Sequence, residues 1–433
     1  MLTMFASQDG ARCGTSSRRD FLRVGTLGLG ALSLPGLLRA RDQATRSGSV
    51  SRQKSVVWLW LAGGPSHIET FDPKPDAPAE FRSVTGAVNS KLRGVQLGGT
   101  FERIAARADQ FAFVRSFAHS NSGHGGGTHW VMTGYDYPAA DNGAAPIKPG
   151  FGSVLARHRG STGHTGLPTY VRFREILADG PAWLGRPYAP FDLAGKARDN
   201  MALREGLENL EDRRGLLKSF DTARRDADKS GLMTGLDSFE AQAFDLILGN
   251  ARAAFDVSSE DPKLRDRYGA GLGERMLLAR RLCEAGVGFV TVHYGGWDMH
   301  GSIEKGFKQE GPIVDQAVSA FVEDLADRGL DKDILLVVTG EFGRTPKLNT
   351  AGGRDHWAPL STLALAGGGL KMGQVVGESS ARAEVPKSRP ISPQDLMATV
   401  FHVLGLPPDL QYEDHSGRPT PMLDGGKPIT ELL

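Results

Sequence analysis

From Ser55 onward, short runs of continuous apolar residues alternate with amphipathic stretches of helical period. The run VVWLWLA (56–62) ends in Gly63-Gly64-Pro65 and has no polar alternate positions, so it predicts a strand covered on both faces. FAFVRSF (111–117), PTYVRF (168–173), GFVTVHYG (288–295), DILLVVTG (333–340) and LSTLALAGGG (360–369) predict further strands. Between them, FERIAARADQ, ERMLLARRLCEAG and PIVDQAVSAFVEDLADRG repeat apolar positions at helical spacing, the last ending at Gly329. PQDLMATVFHVLG predicts a late helix with Ser392 as its cap. The alternation predicts an α/β fold: a doubly wound, mostly parallel sheet with helices on both faces. Ligands of such sheets bind at the carboxyl ends of the strands.

Two stretches break this pattern. Residues 195–275 are rich in Arg, Asp, Glu and Ala, with helical spacing and no strand-like run, and predict a helical insertion. It forms either a cap beside the site or a solvated helical hairpin. At the amino end, SRRDFLR (17–23) precedes the Gly-rich apolar run GTLGLGALSLPGLL. Paired arginines ahead of a weak apolar run are the twin-arginine export signature. The run of about 14 residues is too short to span a bilayer. The expected layout is a signal peptide and polar linker over 1–48, then an α/β domain over 49–433. The protein is expected in the periplasm or cell envelope, without a stable membrane span after signal removal. Cys13 lies in the signal, so Cys283 remains as a single thiol packed in a helix.

Composition narrows the partners. Of 433 residues, 40% are apolar and 23% charged, which is ordinary for a globular chain. A net charge of +1 supplies no basic stripe for nucleic acid. Nothing in the sequence fixes the oligomeric state.

The polar residues concentrate at the ends of the predicted strands. The first strand leads into GGPSHIETFDP, with His67, Glu69 and Asp72. The second leads into AHSNSGHGGGTHWVMTG, with His119, Ser122, His124, Thr128 and His129. HYGGWDMHG carries His293, Asp298 and His300; GEFGRTP carries Glu341 and Arg344; GGRDHWAP carries Arg354, Asp355 and His356. Seven of the 11 histidines fall in these segments, which a doubly wound sheet gathers at one edge. Imidazole mixed with carboxylate suits zinc, manganese or iron, whereas carboxylate-only sites suit magnesium or calcium. The competing reading is a polar cleft that binds a ligand by hydrogen bonds alone.

GGPSHIETFDPKPDAP, GGWDMHG, GEFGRTPK and GRDHW, in that order, resemble the bacterial family catalogued as domain of unknown function 1501. The resemblance runs from about Lys54 to the carboxyl end, including HSGRPTPMLDGGKPI. That family is similar in turn to the alkaline-phosphatase and sulfatase superfamily, which implies an alkaline-phosphatase-like sheet and a divalent metal. By that resemblance Asp298, His300 and His356 form one three-ligand metal site, with zinc the leading candidate and manganese, iron or calcium behind it. Glu341 and Glu69 are the acids nearest a second, weakened site, because Gly63 and Gly64 stand where a first-strand Asp is expected and Phe342 replaces a ligand. One tightly bound ion per chain is therefore expected. His124 occupies the nucleophile position, where sulfatases carry a modified cysteine, so a formylglycine sulfatase is excluded. Ser122 remains as a nucleophile, and His124 is either a phosphoryl acceptor or itself a metal ligand. Arg344 or Arg354 is expected to fork an oxyanion, or else to pair with Asp355 or Glu341. Two functions follow as expectations. One is a metal-dependent hydrolase of a small anionic phosphate or sulfate ester. The other is a catalytically degenerate protein that binds an anion or glycan in the same cleft.

Overall fold

In the computed structural model, residues 53–163, 165–193 and 252–433 are described. The expected signal segment, and residues 195–251 of the expected insertion, lie outside them. The described residues belong to one compact unit that begins at Gln53. The remainder of the expected insertion is helical over Arg252–Phe255 and Pro262–Tyr268.

Eight strands form the central sheet: β1 (Ser55–Leu61), β2 (Ala112–Val114), β3 (Tyr170–Arg172), β4 (Phe191–Asp192), β5 (Phe289–Tyr294), β6 (Ile334–Thr339), β7 (Leu363–Gly367) and β8 (Gln374–Val376). Their spatial order is β8-β2-β7-β6-β1-β5-β3-β4. β1 lies between β5 and β6, parallel to both, and every residue of β1 and β6 is buried. β7 alone runs against its neighbours, antiparallel to β6 and β2. The sheet is therefore mostly parallel, as the uninterrupted apolar runs require.

Helices cover both faces. Val57, Leu59 and Leu61 of β1 pack with α3 (Leu272–Glu284) and α4 (Ile303–Asp327). Val56, Trp58 and Trp60 face the other way, toward α1 (His124–Thr133), α2 (Phe151–Arg159) and α5 (Pro393–Leu404). Alternate residues of one apolar strand thus supply two separate cores. Ser392 starts α5 through a complete capping box with Asp395. α4 begins at Ile303, earlier than the pattern from Pro312 predicts, because Ile303 and Phe307 are also buried and extend the apolar stripe. Among the described residues no helix is long and apolar enough to cross a membrane.

The strand alternation fixes where chemistry collects. The loops leaving β1, β5 and β6 emerge at one edge of the sheet, because these strands are mutually parallel. The segment after β2 reaches the same edge and enters α1 at His124.

Candidate metal centre

The loop after β5 carries Asp298 and His300. Trp297, fully buried against Phe307 at 5.1 Å, pins this loop, and its backbone N–H donates to the carbonyl of Ala62. That anchor leaves Asp298 about half exposed at the mouth. Gly63, at the end of β1, has φ +110°, and a Cβ there would stand 2.4 Å from the Asp298 amide nitrogen. The first-strand position that resembles a metal-binding Asp is therefore filled by the backbone of the Asp298 loop, and only glycine fits.

After β6 the chain turns through Glu341 and Phe342 into a two-residue strand, Gly343–Arg344, which pairs antiparallel with His356–Trp357. This hairpin brings His356 beside Asp298. His124 arrives from the opposite side as the first residue of α1. A turn at Pro138–Asn142 presses on that helix end: a Cβ on Gly123 would meet the Asp141 carboxylate at 2.1 Å, and one on Gly125 the Ala140 carbonyl at 2.2 Å. The glycines around His124 thus permit close backbone approach. Asp141 also accepts the Gly126 N–H at 2.8 Å.

Three imidazoles converge on one carboxylate. His300 Nε2 and His356 Nε2 lie 3.0 and 3.1 Å from Asp298 Oδ1, and 3.1 Å from each other. His124 Nε2 lies 3.3 Å from Asp298 Oδ2. A ring nitrogen of His124, one of His356 and a carboxylate oxygen of Asp298 all fall within 4.8 Å of one another. Each ring is fixed through its other nitrogen. His356 Nδ1–H donates to the Ser122 carbonyl at 2.9 Å, His300 Nδ1–H to Asp355 Oδ1 at 2.7 Å, and His124 Nδ1–H to Glu341 Oε1 at 2.8 Å. A carbonyl or carboxylate behind the ring turns the Nε2 lone pair inward, the usual support of a metal-bound histidine. Lone pairs and a carboxylate facing each other at about 3 Å repel unless a proton or cation stands between them. The donor set therefore fits a divalent ion, and the imidazoles favour zinc, manganese or iron over calcium.

Phe342 packs against the rings of His356 and His124, with centroids at 4.3 and 5.1 Å, and is fully buried. In the sequence Phe342 reads only as a residue that cannot ligate. Its signal was its place inside GEFGRTP, next to Glu341.

The remaining expected residues are corrected by their surroundings. Glu69 is fully buried and pairs with Arg354 at 3.0 Å, away from the imidazoles, because burial of both charges requires each other. Glu341 is also buried. Its Oε1 accepts from Gly63 N–H and His124, so it stands behind a ligand candidate instead of among the converging atoms. Arg344 is fully buried, with Nε on the Gly64 carbonyl at 2.9 Å, Nη1 on the Arg354 carbonyl at 3.1 Å, and Nη2 shared between the Gly63 carbonyl and Asp298 Oδ1. It holds Asp298 and leaves no fork for an oxyanion. Arg354 donates to the carbonyls of Thr345, Pro346 and Arg82 as well as to Glu69. Asp355 pairs with His300 and not with Arg354. Ser122 accepts the Ala358 N–H on its hydroxyl at 3.0 Å.

Other histidines of the strand-end segments stay outside. Burial pushes His67 and His119 down to about 4; His67 Nε2–H donates to the Ala383 carbonyl and His119 Nε2–H to the Glu341 carbonyl. Burial also lowers His129, whose Nδ1–H donates to the Tyr135 carbonyl. At the centre itself the shifts diverge. The hydrogen bond to Glu341 raises His124, with Asp298 adding to it. Burial lowers His356 despite the Asp298 carboxylate beside it. For Asp298, partial burial opposes ionisation, but the hydrogen bond and charge of Arg344 hold the carboxyl well below the usual range.

The chain belongs to the family described as protein of unknown function (DUF1501), whose model matches residues 53–433. No curated protein matches it. Among solved structures it is similar to the PsFucS1 sulfatase from Pseudoalteromonas sp., with 14% identity over 86% of this chain and 71% of that one, at a TM-score of 0.41. It is also similar to the lipoteichoic acid synthase LtaP from Listeria monocytogenes, with 12% identity over 82% of this chain and 73% of that one, at a TM-score of 0.36. The alkaline phosphatase from the Antarctic bacterium TAB5 shares 12% identity over 82% of this chain and 99% of that one, at a TM-score of 0.35.

Proposed function

We propose that this DUF1501 chain is a metal-dependent hydrolase of phosphate or sulfate esters in the cell envelope. One observation carries the reading: Asp298 Oδ1 and the Nε2 atoms of His300 and His356 meet at 3.0 to 3.1 Å, each ring held from behind. These three residues would hold one divalent ion, with zinc first and manganese or iron as alternatives. Such an ion supplies Lewis-acid polarisation of the ester oxygen and charge neutralisation at a small anionic substrate.

The chain's own residues supply order. Arg344 fixes Asp298 from beneath and keeps it ionised. The Ser122 carbonyl and Asp355 hold the protons of His356 and His300 on Nδ1, so that both Nε2 atoms stay free of hydrogen. Phe342 closes the buried side of the rings against water. The formylglycine route stays excluded, since Cys283 is buried in α3 and burial raises its thiol well above the ordinary value. Glu69 is not part of this site. Export through Arg18-Arg19, the 1–48 signal and linker, and the helical insertion of 195–275 complete the proposal.

The reading of a degenerate anion- or glycan-binding protein is favoured by one feature: both buried arginines near the site are committed to internal carbonyls and carboxylates. Elemental analysis of the exported protein, with turnover of aryl phosphates and aryl sulfates, separates the two. Metal together with turnover that chelation abolishes supports the hydrolase. Metal without turnover of any ester supports the binding protein. No metal and no turnover defeats the hydrolase and the metal assignment, leaving a cleft that binds its ligand by hydrogen bonds alone.

A further inference from the structure

The structure assigns His124 to the metal as a ligand and withdraws it as a covalent acceptor; this rests on the metal reading of Asp298, His300 and His356. His124 stands at the start of α1, where the family resemblance places a nucleophile. A nucleophilic imidazole needs one nitrogen turned to the substrate. Here Nε2 is turned to Asp298 Oδ2 at 3.3 Å, on the other oxygen of the carboxylate that His300 and His356 share. The rings of His124 and His356 also meet edge to face with centroids 4.5 Å apart, so His124 belongs to the cluster and not to its rim.

The support behind His124 differs from that behind the other two rings. His300 leans on an exposed carboxylate and His356 on a backbone carbonyl. His124 leans on Glu341, whose side chain is only 4% exposed and whose Oε1 is also held by Gly63 N–H. Glu341 Oε2 is buried with no hydrogen-bond partner among the described residues. A buried carboxylate that accepts from an imidazole N–H strengthens the opposite nitrogen as a donor to a metal. Such a carboxylate is costly to retain in an apolar setting unless a cation lies nearby. Glu341 is thus a positioning residue for a ligand, and the two groups account for each other. The centre becomes three imidazoles and one carboxylate around a single ion. Ser122 is then the one hydroxyl of the original pair of nucleophile candidates, and its oxygen faces Ala358 N–H.

X-ray absorption on the zinc-loaded full-length protein tests this without reference to turnover. Three imidazoles in the wild-type shell and two in His124→Ala are expected, with zinc affinity in chelator competition falling more than about 100-fold. Glu341→Gln keeps the volume and the count of three but weakens zinc about 10- to 100-fold. Circular dichroism of each variant guards against a lost fold, and if His124→Ala does not fold, the wild-type count and the Glu341→Gln affinity still decide. Two imidazoles in the wild type, or unchanged affinity in folded His124→Ala, overturns the role of His124 while leaving the three-residue centre standing. No tight zinc in the folded wild type overturns that centre itself.

Discussion

Two of the dense clusters of ionisable side chains among the described residues are built on opposite rules. Beneath α3 and α4, Arg280 is almost fully buried and forms ion pairs with Glu260 at 2.7 Å, Glu284 at 2.6 Å and Asp324 at 2.9 Å. Arg328 adds bonds to Asp324 and Glu260, and Tyr268 donates to Asp324. Every acid there has a guanidinium, and guanidinium does not lose its proton near neutral pH. At the carboxyl edge of the sheet the balance fails. Three imidazole nitrogens and a carboxylate face inward, and Arg344 meets only one carboxylate oxygen. A charge cluster whose members satisfy one another is architecture. One whose acceptors converge without enough donors is a candidate site for a cation.

The sharpest way to break this contrast is to remove one member of each cluster. His356→Ala should abolish tight metal binding, a larger loss than the roughly 100-fold attributed to outer partners, while unfolding free energy in urea moves by no more than about 1 kcal/mol. Equal metal in variant and wild type would sink the contrast. Arg280→Ala should do the reverse. It leaves Glu260, Glu284 and Asp324 short of a buried cation, so stability should fall by about 3–5 kcal/mol with metal affinity unchanged. If denaturation curves of Arg280→Ala overlay the wild type, that cluster is not architectural.

Smaller changes sharpen the picture. Asp355→Asn should weaken the ion about 10-fold, the low end for an outer partner, because Asp355 is more than half exposed. An equilibrium titration with a chromophoric chelator reads this directly. Acid should separate the clusters last. His124 is held above its ordinary value by Glu341, so its protonated form is favoured in the metal-free fold. That contribution is complete below the ordinary histidine value of 6.5 and fades as pH rises through the raised one. A ligating ring must be neutral, so metal affinity should climb across that same rise and fall on acidification. Chelator competition from about pH 8 to about pH 5 should record release, with far-UV circular dichroism constant because the Arg280 cluster keeps its charges. Affinity independent of pH over that window would contradict the placement of His124 at the ion.

The two clusters also differ in how far the sequence reveals them. His124, Asp298 and His300 stood out because each follows an apolar run that reads as an interior strand, and His356 stood out through the GRDHW motif. Glu69 shared that signature and misled. It follows β1 as Glu341 follows β6, but it meets Arg354 in the interior. Arg344 and Arg354 misled for a related reason: in sequence an arginine beside a site looks available, whereas both are buried and donate to backbone carbonyls. The Arg280 cluster left no signal, since ERMLLARRLCEAG reads as an ordinary amphipathic helix with charges to solvent.

The sequence by itself determined the sheet, its two covered faces, and the edge at which the polar segments meet. Apolar periodicity is a local property, and it dictates both strand burial and the side from which loops leave. Tertiary structure alone decided which polar residue does what at that edge. A hydrogen-bond partner 217 positions away makes His124 an inward-facing ring, and one 285 positions away takes Glu69 out of the site. Roles of that kind depend on direction and desolvation at distances of about 3 Å, which pattern along a chain does not encode.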